Sequence, residues 1–290
     1  MKKMNIFCFG FGQVAKSFIK KLKSEKINFE LNTTSREDTK NKIFENIKYK
    51  SFNLSDAKFD INLIEKLQKA HHVLISIAPI NGQDIVLKQL STKLKFSNLK
   101  WITYLSATSV YGNHDGNWVD ETSLTNPTSF NGKNRLNVEN SWIEVSKTKN
   151  LPIQIFRLSG IYSYNFNILK RLKSGEAKII NKKNHFFSRI HVDDIGNILH
   201  KSLTNFKNGE IYNISDDKPA SNEEVIMYGI KLLGIKKPKT IDVSDIKSEM
   251  LKNFYNDSKR VSNKKMKNYF GYELKYPSYI EGLNYINHSI

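Results

Sequence analysis

The stretch Phe9-Gly10-Phe11-Gly12-Gln13-Val14-Ala15 decides the fold of this chain. The apolar run that precedes it, residues 4–9, is short enough for a buried strand. After it, Val14, Phe18 and Leu22 follow one another at helical spacing, and lysines occupy the other faces of the predicted helix. A Gly-x-Gly-x-x-Ala motif between a strand and a helix is the context in which this motif predicts a bound dinucleotide.

Each small residue of the motif has a physical task. Gly10 permits the tight turn, Gly12 lets a pyrophosphate approach the backbone, and Ala15 lets the helix pack closely on the strand. The free N–H groups and the dipole of the helix then favour a phosphate at its start. The residues predicted to bind the cofactor here are Gly10, Phe11, Gly12, Gln13, Val14 and Ala15. A glycine turn without a ligand is the plain alternative.

The composition is that of a globular protein with one large domain or two smaller ones. Hydrophobic residues make up 39% of the 290 residues, and no apolar run approaches the length of a membrane span. The N-terminal residues show no signal-peptide cleavage pattern. The single cysteine, Cys8, lies in the first predicted strand, where we expect a buried, inert thiol. Since it cannot form an internal disulfide, we expect a cytoplasmic protein.

The formal net charge of +18 makes nucleic acids and anionic membranes candidate partners. The excess is mostly lysine, spread along the whole chain and mixed with many asparagine and isoleucine residues. No arginine cluster with interleaved aromatic residues and no zinc-ligand spacing accompanies it. We therefore expect a solvated basic surface, with no specific nucleic-acid face, no membrane partner and no bound metal. An anionic cofactor or substrate would still gain from this field.

The second predicted strand, residues 27–32, ends in the run Thr-Thr-Ser-Arg. At this strand end an NAD site carries an acid that accepts from the ribose, whereas an NADP site carries hydroxyls and an arginine for the 2′-phosphate. Glu30 is at about the right distance along the chain for the acid, but we place it within the strand. Thr34, Ser35 and Arg36 therefore favour NADP, with NAD as the other cofactor considered. An Arg36 that only caps a loop is the plain alternative.

Strands and helices continue to alternate beyond this point. The predicted strands are residues 47–52, 72–77 and 101–105, and the predicted helices are residues 60–70 and 85–94. This alternation predicts an α/β fold with a doubly wound parallel sheet of the Rossmann type. Ligands of such sheets lie beyond the carboxyl ends of the strands. Ala78, Pro79 and Ser106 stand at such ends and are predicted to join the cofactor site.

Several further motifs lie along the chain. They are Ser-Ala-Thr-Ser-Val-Tyr-Gly at 106–112 with Asp-Glu at 120–121, Phe-Arg-Leu-Ser-Gly-Ile-Tyr at 156–162, Ser-Arg-Ile-His-Val-Asp-Asp-Ile at 188–195, and Ile-Tyr-Asn-Ile-Ser-Asp-Asp at 211–217. Together they resemble the extended short-chain dehydrogenase/reductase superfamily of nucleotide-sugar epimerases and dehydratases. The tail, residues 258–283, is similar to a poorly characterised atypical subgroup of it. The resemblance implies an NAD(P)-binding, oxidoreductase- or epimerase-like enzyme that acts on a small or nucleotide-linked substrate.

The resemblance also implies two lobes. The dinucleotide-binding domain would comprise residues 1–161, with residues 190–216 returning to it, and the smaller C-terminal substrate-side lobe would comprise residues 162–189 and 217–290. Residues 166–173 and 222–233 show the apolar spacing of helices in that second lobe. Asn263 is a suitable N-cap for a further helix, and Gly271 is a suitable stop.

The sequence departs from the superfamily where its chemistry is expected. The superfamily has a Ser or Thr four residues before the Tyr of Val-Tyr-Gly, where this chain has Ala107. The superfamily's Tyr-x-x-x-Lys pair falls on Asn131 and Arg135, and sliding the alignment by one places Phe130 at the Tyr. Losing a positioned proton-transfer group costs about 10²–10⁴ in rate, so the usual mechanism is not carried over. Arg135 keeps a positive charge that can hold ribose or phosphate.

Other side chains near the predicted cleft offer replacement groups. Tyr111 supplies a phenol and His191 an imidazole that titrates near neutral pH, and these two are the predicted catalytic residues. The residues predicted to contact the substrate are Thr108, Tyr111 and Arg189. The alternative to catalysis is a structural role for each residue. Tyr111 would then only line the substrate pocket, and His191 would only form a hydrogen bond with a neighbouring backbone group. A non-catalytic NAD(P)-binding sensor or scaffold is the alternative function, because the superfamily's Ser or Thr, Tyr and Lys are all replaced.

Overall fold

The structure, a computed structural model, describes residues 3–80, 82–94 and 98–288. Its strands are β1 (Met4–Phe9), β2 (Phe29–Ser35), β3 (Lys40–Phe44), β4 (Ile47–Asn53), β5 (His72–Ile75), β6 (Trp101–Ala107), β7 (Trp118–Val119), β8 (Ile153–Leu158), β9 (Gly160–Tyr162), β10 (Ile179–Asn181), β11 (Arg189–His191), β12 (Ile211–Ile214), β13 (Thr240–Asp242) and β14 (Arg260–Val261). Its α-helices are α1 (Gln13–Ser24), α2 (Leu63–Gln68), α3 (Ile85–Leu90), α4 (Phe130–Lys149), α5 (Ile168–Lys173), α6 (Val192–Ser202), α7 (Asn222–Leu233), α8 (Glu249–Asn256), α9 (Lys264–Phe270) and α10 (Tyr279–His288).

An eight-stranded sheet organises the strands in the order β12-β8-β6-β5-β1-β2-β4-β3. The strand β1 pairs in parallel with β2 on one side and with β5 on the other, and the parallel pairs β2 with β4 and β5 with β6 extend the sheet. At the edge, β3 runs antiparallel to β4. The helix α1 connects β1 to its neighbour β2, as a parallel crossover requires. The predicted Rossmann-type α/β fold is therefore confirmed.

The chain divides into two compact units. Unit 1 consists of Met1–Ser106, Asn134–Arg157 and Ile195–Tyr212, and unit 2 consists of Ala107–Lys133, Leu158–Asp194 and Asn213–Ile290. The strands β1 to β5 lie entirely in unit 1. In unit 2, short parallel pairs join β9 to β11, β7 to β14 and β10 to β13. The domain bounds that the resemblance implied stay a prediction.

The strand β1 is buried on both of its faces, which is why it reads as a continuous apolar run. Cys8, near the end of this strand, is fully buried, and burial raises the pKa of the thiol far above its usual range. In α1 the buried face includes Val14, Phe18 and Leu22, and Lys16 is exposed on another face. The predicted strand, turn and helix around the glycine motif are therefore confirmed.

A β-hairpin in unit 1 was not predicted. The strand β3 precedes β4, and Glu45 and Asn46 between them take φ values of +50° and +62°. Positive φ at both positions of a two-residue loop is typical of a type I′ hairpin turn. The sequence of β3, Lys-Asn-Lys-Ile-Phe, lacks the apolar pattern of a strand because lysines occupy two of its five positions. Lysines on an edge strand keep the sheet from pairing with another chain.

Element ends differ from the predicted ones by a few residues. The helices α2 and α3 are shorter than the predicted helices 60–70 and 85–94, and β5 ends at Ile75 before the apolar pattern does. The helix α7 begins and ends as predicted, with a capping box between Ser221 and Glu224. The helix α9 stops at Gly271, whose φ of +54° favours glycine. Asn263 stands at the N-cap of α9, but its side chain makes no capping bond to that helix.

Two buried polar arrangements hold α4 in unit 1. Glu139 of α4 receives the guanidinium of Arg157, with Nη2 2.8 Å from Oε2 and Nε 3.2 Å from both carboxylate oxygens. The exposed fractions of these side chains are 1% and 5%. Trp142 of α4 donates its indole N–H to Asp84, whose carboxylate also caps the start of α3. Both arrangements place a carboxyl group in the core, where it depends on its hydrogen-bond donors.

Candidate functional site

The glycine loop between β1 and α1 leaves open space at its second glycine. Gly10 takes a φ of +82°, a conformation that favours glycine, and a Cβ there would lie 3.0 Å from the Ser76 hydroxyl oxygen. Gly12 is exposed, and a Cβ built on it would meet no atom within 4 Å. As the N-cap of α1, Gly12 offers no side chain to cap that helix. The first N–H groups of α1 therefore face a space that suits a phosphate.

Side chains of unit 1 hold the glycine loop in place. The Gly10 N–H donates to the Thr34 hydroxyl at 3.0 Å. The single O–H of Ser76 is shared between the carbonyl oxygens of Phe9 and Gly10, at 2.9 and 3.1 Å. The Phe11 ring packs against the rings of Phe44 and Tyr49 in the hairpin. The unpredicted hairpin thus supports the loop that was predicted to bind the cofactor.

At the end of β2, the residues that were predicted to determine the preference for NADP or NAD lie in different environments. Thr34 is buried and bonded to Gly10, and the half-buried Ser35 accepts a hydrogen bond from Ser51. Arg36 follows the strand and is exposed. Glu30 lies inside β2, where hydrogen bonds from Lys66 and other donors lower its pKa to about 2. Arg36 is therefore an exposed cation directly after the strand, and the exposed acids Glu37 and Asp38 follow it.

The remaining predicted cofactor residues lie at the ends of β5 and β6. Ala78 is exposed and Pro79 half-buried in the segment after β5. Ser106, near the end of β6, is buried, and its hydroxyl has no partner within the described residues. Arg135 donates to the Leu105 carbonyl oxygen at 2.6 Å. A bound ligand that reached Ser106 would satisfy a buried hydroxyl that is otherwise unpaired.

In unit 2, Tyr111 belongs to a buried hydrogen-bond network. The Tyr111 hydroxyl donates to Asn213 Oδ1 at 2.8 Å. The Asn213 N–H donates to Glu121 Oε1 at 2.7 Å, and its side-chain amide donates to the Ser262 carbonyl oxygen at 3.3 Å. Asn213 thereby links the 211–217 motif to Tyr111 and Glu121 of one further motif and to Ser262 of the tail. The only sequence signal for a role of Asn213 was its position in the 211–217 motif, because its hydrogen-bond partners are remote in sequence.

His191 is buried between two aromatic rings of unit 2. Its ring centroid lies 5.1 Å from that of Tyr162 and 4.1 Å from that of Tyr276. The Asp193 N–H donates to Nδ1 at 3.2 Å, so the proton of the neutral imidazole sits on Nε2. Burial lowers the pKa of His191 to about 4, although the Asp193 carboxylate raises it. Nε2 is buried and has no partner within the described part of the chain.

Arg189 is a buried cation of unit 2 that forms hydrogen bonds with the backbone. Its Nη1 donates to the carbonyl oxygens of Phe187 and Ala220, both at 3.0 Å, and the guanidinium lies over the Phe187 ring. Burial lowers the pKa of Arg189 to about 10, while the nearby Asp216 carboxylate favours the charged form. The guanidinium is therefore still charged at neutral pH. Thr108, the other predicted substrate residue, is also buried.

The first turn of α6 anchors a distant segment. The helix starts at Val192, and Asp194 lies in its first turn. The Asp194 carboxylate accepts from the Tyr272 hydroxyl at 2.7 Å and from the N–H groups of Lys275 and Tyr276 at 2.7 and 3.1 Å. This side chain therefore ties residues 272–276 to α6.

An open cavity of about 750 Å³ lies within unit 2. Its lining residues are Trp118, Val119, Asp120, Asp216, Asp217, Val261, Ser262, Asn263, Lys264, Lys267 and Asn268. Lys267 pairs there with Asp217 at 3.0 Å. Within residues 3–80, 82–94 and 98–288, no group of three or more His, Cys, Asp or Glu side chains is arranged to hold a metal ion. No helix of the described chain is long and apolar enough to cross a membrane.

The start of α4 carries the residues that align with the expected Tyr-x-x-x-Lys pair. Phe130 and Asn131 are exposed in its first turn, and the half-buried Arg135 follows one turn later. The sequence of α4 contains no tyrosine. The absence of the superfamily's acid/base pair from this helix stays a prediction, since it depends on the alignment.

Comparisons with known proteins identify structures with the same architecture. A scan against protein-family models finds no match, and a search of the curated proteins finds none. UDP-glucuronic acid 4-epimerase from Bacillus cereus, solved with UDP-glucuronic acid and NAD, has a TM-score of 0.78 at 19% identity, covering 99% of this chain and 100% of its own. dTDP-glucose 4,6-dehydratase from Bacillus anthracis, solved with NAD, has a TM-score of 0.76 at 19% identity, covering 98% and 96%. At this identity the two enzymes share the fold with this chain.

A third structure is more similar in sequence. It is a conserved protein of unknown function from Silicibacter pomeroyi, with a TM-score of 0.84. The two sequences are 32% identical over 98% of each chain. An identity of this size over nearly the full length exceeds what a shared fold alone produces in the epimerase and the dehydratase. The chain therefore belongs to the same family as this conserved protein from Silicibacter pomeroyi.

Proposed function

We propose that this chain binds a nicotinamide dinucleotide through residues 10–15 and acts on a small or nucleotide-linked substrate as an oxidoreductase- or epimerase-like enzyme. The observation that carries the proposal is the open space at Gly12 in front of the uncapped start of α1. The unpaired Ser106 hydroxyl near the end of β6 supports it. The two enzymes of the same fold were solved with NAD, and one of them also with UDP-glucuronic acid, which supports the cofactor and substrate classes.

Titration of the purified protein with NADPH and NADH tests this proposal. We expect saturable binding of at least one of them by calorimetry, because the backbone of the loop and the charge of Arg36 both attract phosphate. Protein purified without added cofactor is first freed of any dinucleotide by denaturation and refolding, so that a filled site is not mistaken for a site that fails to bind. Absence of binding by both dinucleotides at millimolar concentration contradicts the proposal.

Within this function, we propose NADP as the preferred cofactor. Arg36 is exposed directly after β2, where a 2′-phosphate would lie, and Glu30 is inside the strand and paired with lysines. An acid that served the ribose of NAD would stand at the strand end, not within it. Residues 10–15 would hold the pyrophosphate, and Arg135 would hold ribose or phosphate. The dinucleotide, when bound, would supply hydride transfer.

Arg36→Ala is expected to weaken NADPH binding by about 10- to 100-fold and to leave NADH binding unchanged. The lost group is a guanidinium that bonds to a charged phosphate, an interaction of about 1.5–3 kcal/mol. Calorimetric titration of both cofactors measures the effect. Lys40→Ala is the matched control, since it removes another exposed cation from the adjoining hairpin. Equal losses for the two cofactors would mean that Arg36 does not meet the 2′-phosphate.

A non-catalytic NAD(P)-binding sensor or scaffold is the second candidate. A specific observation favours it, because the Tyr111 hydroxyl is buried and donates to Asn213, so it is already engaged in the framework. His191 favours the enzyme instead: it is buried as well, but its Nε2–H has no partner within the described residues, and its imidazole is neutral at physiological pH. A neutral imidazole whose N–H lacks a partner can donate a hydrogen bond to a substrate oxygen that reaches it.

A pair of variants decides between enzyme and sensor. Against a substrate revealed by a screen with NADPH or NADP, we expect His191→Ala to lower kcat by about 10²-fold or more. Asn131→Ala is expected to leave turnover intact, because an amide does not ionise in the useful pH range. Tyr111→Phe tests the other predicted group, with unfolding measured beside it because the variant leaves Asn213 Oδ1 without its donor.

Two other outcomes would assign the chemistry to different residues or favour the sensor. If Asn131→Ala or Arg135→Ala alone abolishes turnover while cofactor binding is preserved, the aligned Tyr-x-x-x-Lys positions carry the chemistry and the proposed role of His191 is wrong. If no substrate turns over while NADPH binds tightly, the sensor becomes the better description of the protein.

A further inference from the structure

The peptide groups of Gly10 are held from both sides by hydroxyls of unit 1. Its N–H donates to the Thr34 hydroxyl oxygen of β2 at 3.0 Å. Its carbonyl oxygen accepts from the Ser76 hydroxyl, which follows β5, at 3.1 Å. The same Ser76 hydroxyl lies 2.9 Å from the Phe9 carbonyl oxygen. The strands on either side of β1 therefore set the orientation of the first peptide of the loop.

Thr34 does not present its hydroxyl to a ligand. Its side chain is 1% exposed, and Oγ1 is occupied as the acceptor of the Gly10 N–H. A residue at this strand end is expected to contact the ribose or its phosphate directly. The position of Thr34 instead allows it to act through the loop, by fixing the conformation in which the backbone meets the pyrophosphate.

We propose that Thr34, together with Ser76, is a positioning residue that holds the glycine loop in its dinucleotide-binding conformation before the cofactor arrives. The inference rests on the proposed function, because it concerns the affinity for the same cofactor. A loop that is already ordered does not lose conformational freedom on binding, so affinity rises without any new contact to the ligand. The effect belongs to the pyrophosphate end, so it is the same for NADP and NAD.

Thr34→Val tests this role at nearly constant shape. Valine keeps the branched side chain that suits a strand but cannot accept the Gly10 N–H. We expect the dissociation constants for NADPH and NADH to rise together by about tenfold, the effect of one lost hydrogen bond. Thr34→Ser, which keeps the hydroxyl, is expected to restore most of the affinity. The equal effect on both cofactors distinguishes this role from that of Arg36, whose loss affects NADPH alone.

The neighbouring residue supplies a matched control. Thr33 is also fully buried in β2, and its hydroxyl has no partner within the described residues. Thr33→Val makes the same chemical change one position away, and we expect no change in affinity for either cofactor. If Thr33→Val weakens binding as much as Thr34→Val, general damage to the strand explains both, and the positioning role is wrong.

Amide hydrogen exchange of Gly10 in the ligand-free protein provides a readout that needs no cofactor. We expect Thr34→Val to speed exchange at Gly10 by about tenfold and Thr33→Val to leave it unchanged. Unchanged exchange in Thr34→Val overturns the inference, and so does faster exchange with unaltered affinity. If the wild-type protein binds neither dinucleotide, the proposed function is wrong and the role in cofactor binding falls with it. The exchange result then still decides whether Thr34 orders the loop.

Discussion

Gly12→Val is expected to raise the dissociation constants for NADPH and NADH by about 100-fold or more, a loss of roughly 2.7 kcal/mol. The valine side chain would occupy the space that is open in front of Gly12. A pyrophosphate would then be kept from the first N–H groups of α1, with which it would otherwise form charge-assisted hydrogen bonds. Because those bonds are common to both cofactors, we expect the two affinities to fall together.

The fold is expected to survive this substitution. Gly12 has a φ of −81° and a ψ of −167°, an extended conformation that any residue adopts. Thermal unfolding followed by circular dichroism should therefore show wild-type behaviour while calorimetry shows the loss of binding. Gly12→Ala fills less of the space and should give a smaller loss, which makes the series graded. A folded Gly12→Val variant with wild-type affinity would show that the cofactor does not approach the loop.

Glu139→Ala is expected to lower the free energy of unfolding by about 3–5 kcal/mol. The substitution leaves the buried Arg157 guanidinium without the carboxylate that now meets it at 2.8 Å. Removing the carboxylate that balances a buried charge is among the most unfavourable changes in a protein core. Urea denaturation followed by tryptophan fluorescence measures the change, since Trp142 lies in the same helix and is buried.

Two comparisons separate this buried pair from ordinary surface charge. Glu65→Ala removes the acidic partner of an exposed pair with Lys69 and should cost less than about 1 kcal/mol. The double variant Glu139→Leu with Arg157→Met replaces the buried pair by apolar side chains and should recover much of the loss. If Glu139→Ala costs no more than Glu65→Ala, water reaches Arg157 and the pair is not a core element.

Local sequence patterns were sufficient for the elements nearest to the proposed cofactor site. The strand β1, the glycine loop and the helix α1 follow from an apolar run, two glycines and helical spacing, all within the first 24 residues. Each of these signals acts between neighbours in the chain, so a single sequence contains them. The same holds for α7, where the capping box between Ser221 and Glu224 marks the helix start.

Features that depend on distant partners were not predictable in this way. Arg157 and Glu139 form a buried pair, but nothing within either local segment indicates the other. Tyr111 looks like an available phenol in its motif, whereas its acceptor, Asn213, stands 102 residues away. The strand β3 carries lysines because it is an edge, and that reason exists only once the sheet is assembled. Pairing across the fold, not local preference, determined these residues.

The glycine loop takes its shape from groups that are far away along the chain. The hydroxyl that meets the Gly10 N–H lies 24 residues later, and the hydroxyl that meets its carbonyl oxygen lies 66 residues later. Contacts of such separation form only after the intervening chain has closed, so the loop acquires its geometry late in folding. A ligand of this loop therefore recognises only the assembled sheet. At 100 times its dissociation constant it would add about 2.7 kcal/mol to the stability of the folded state.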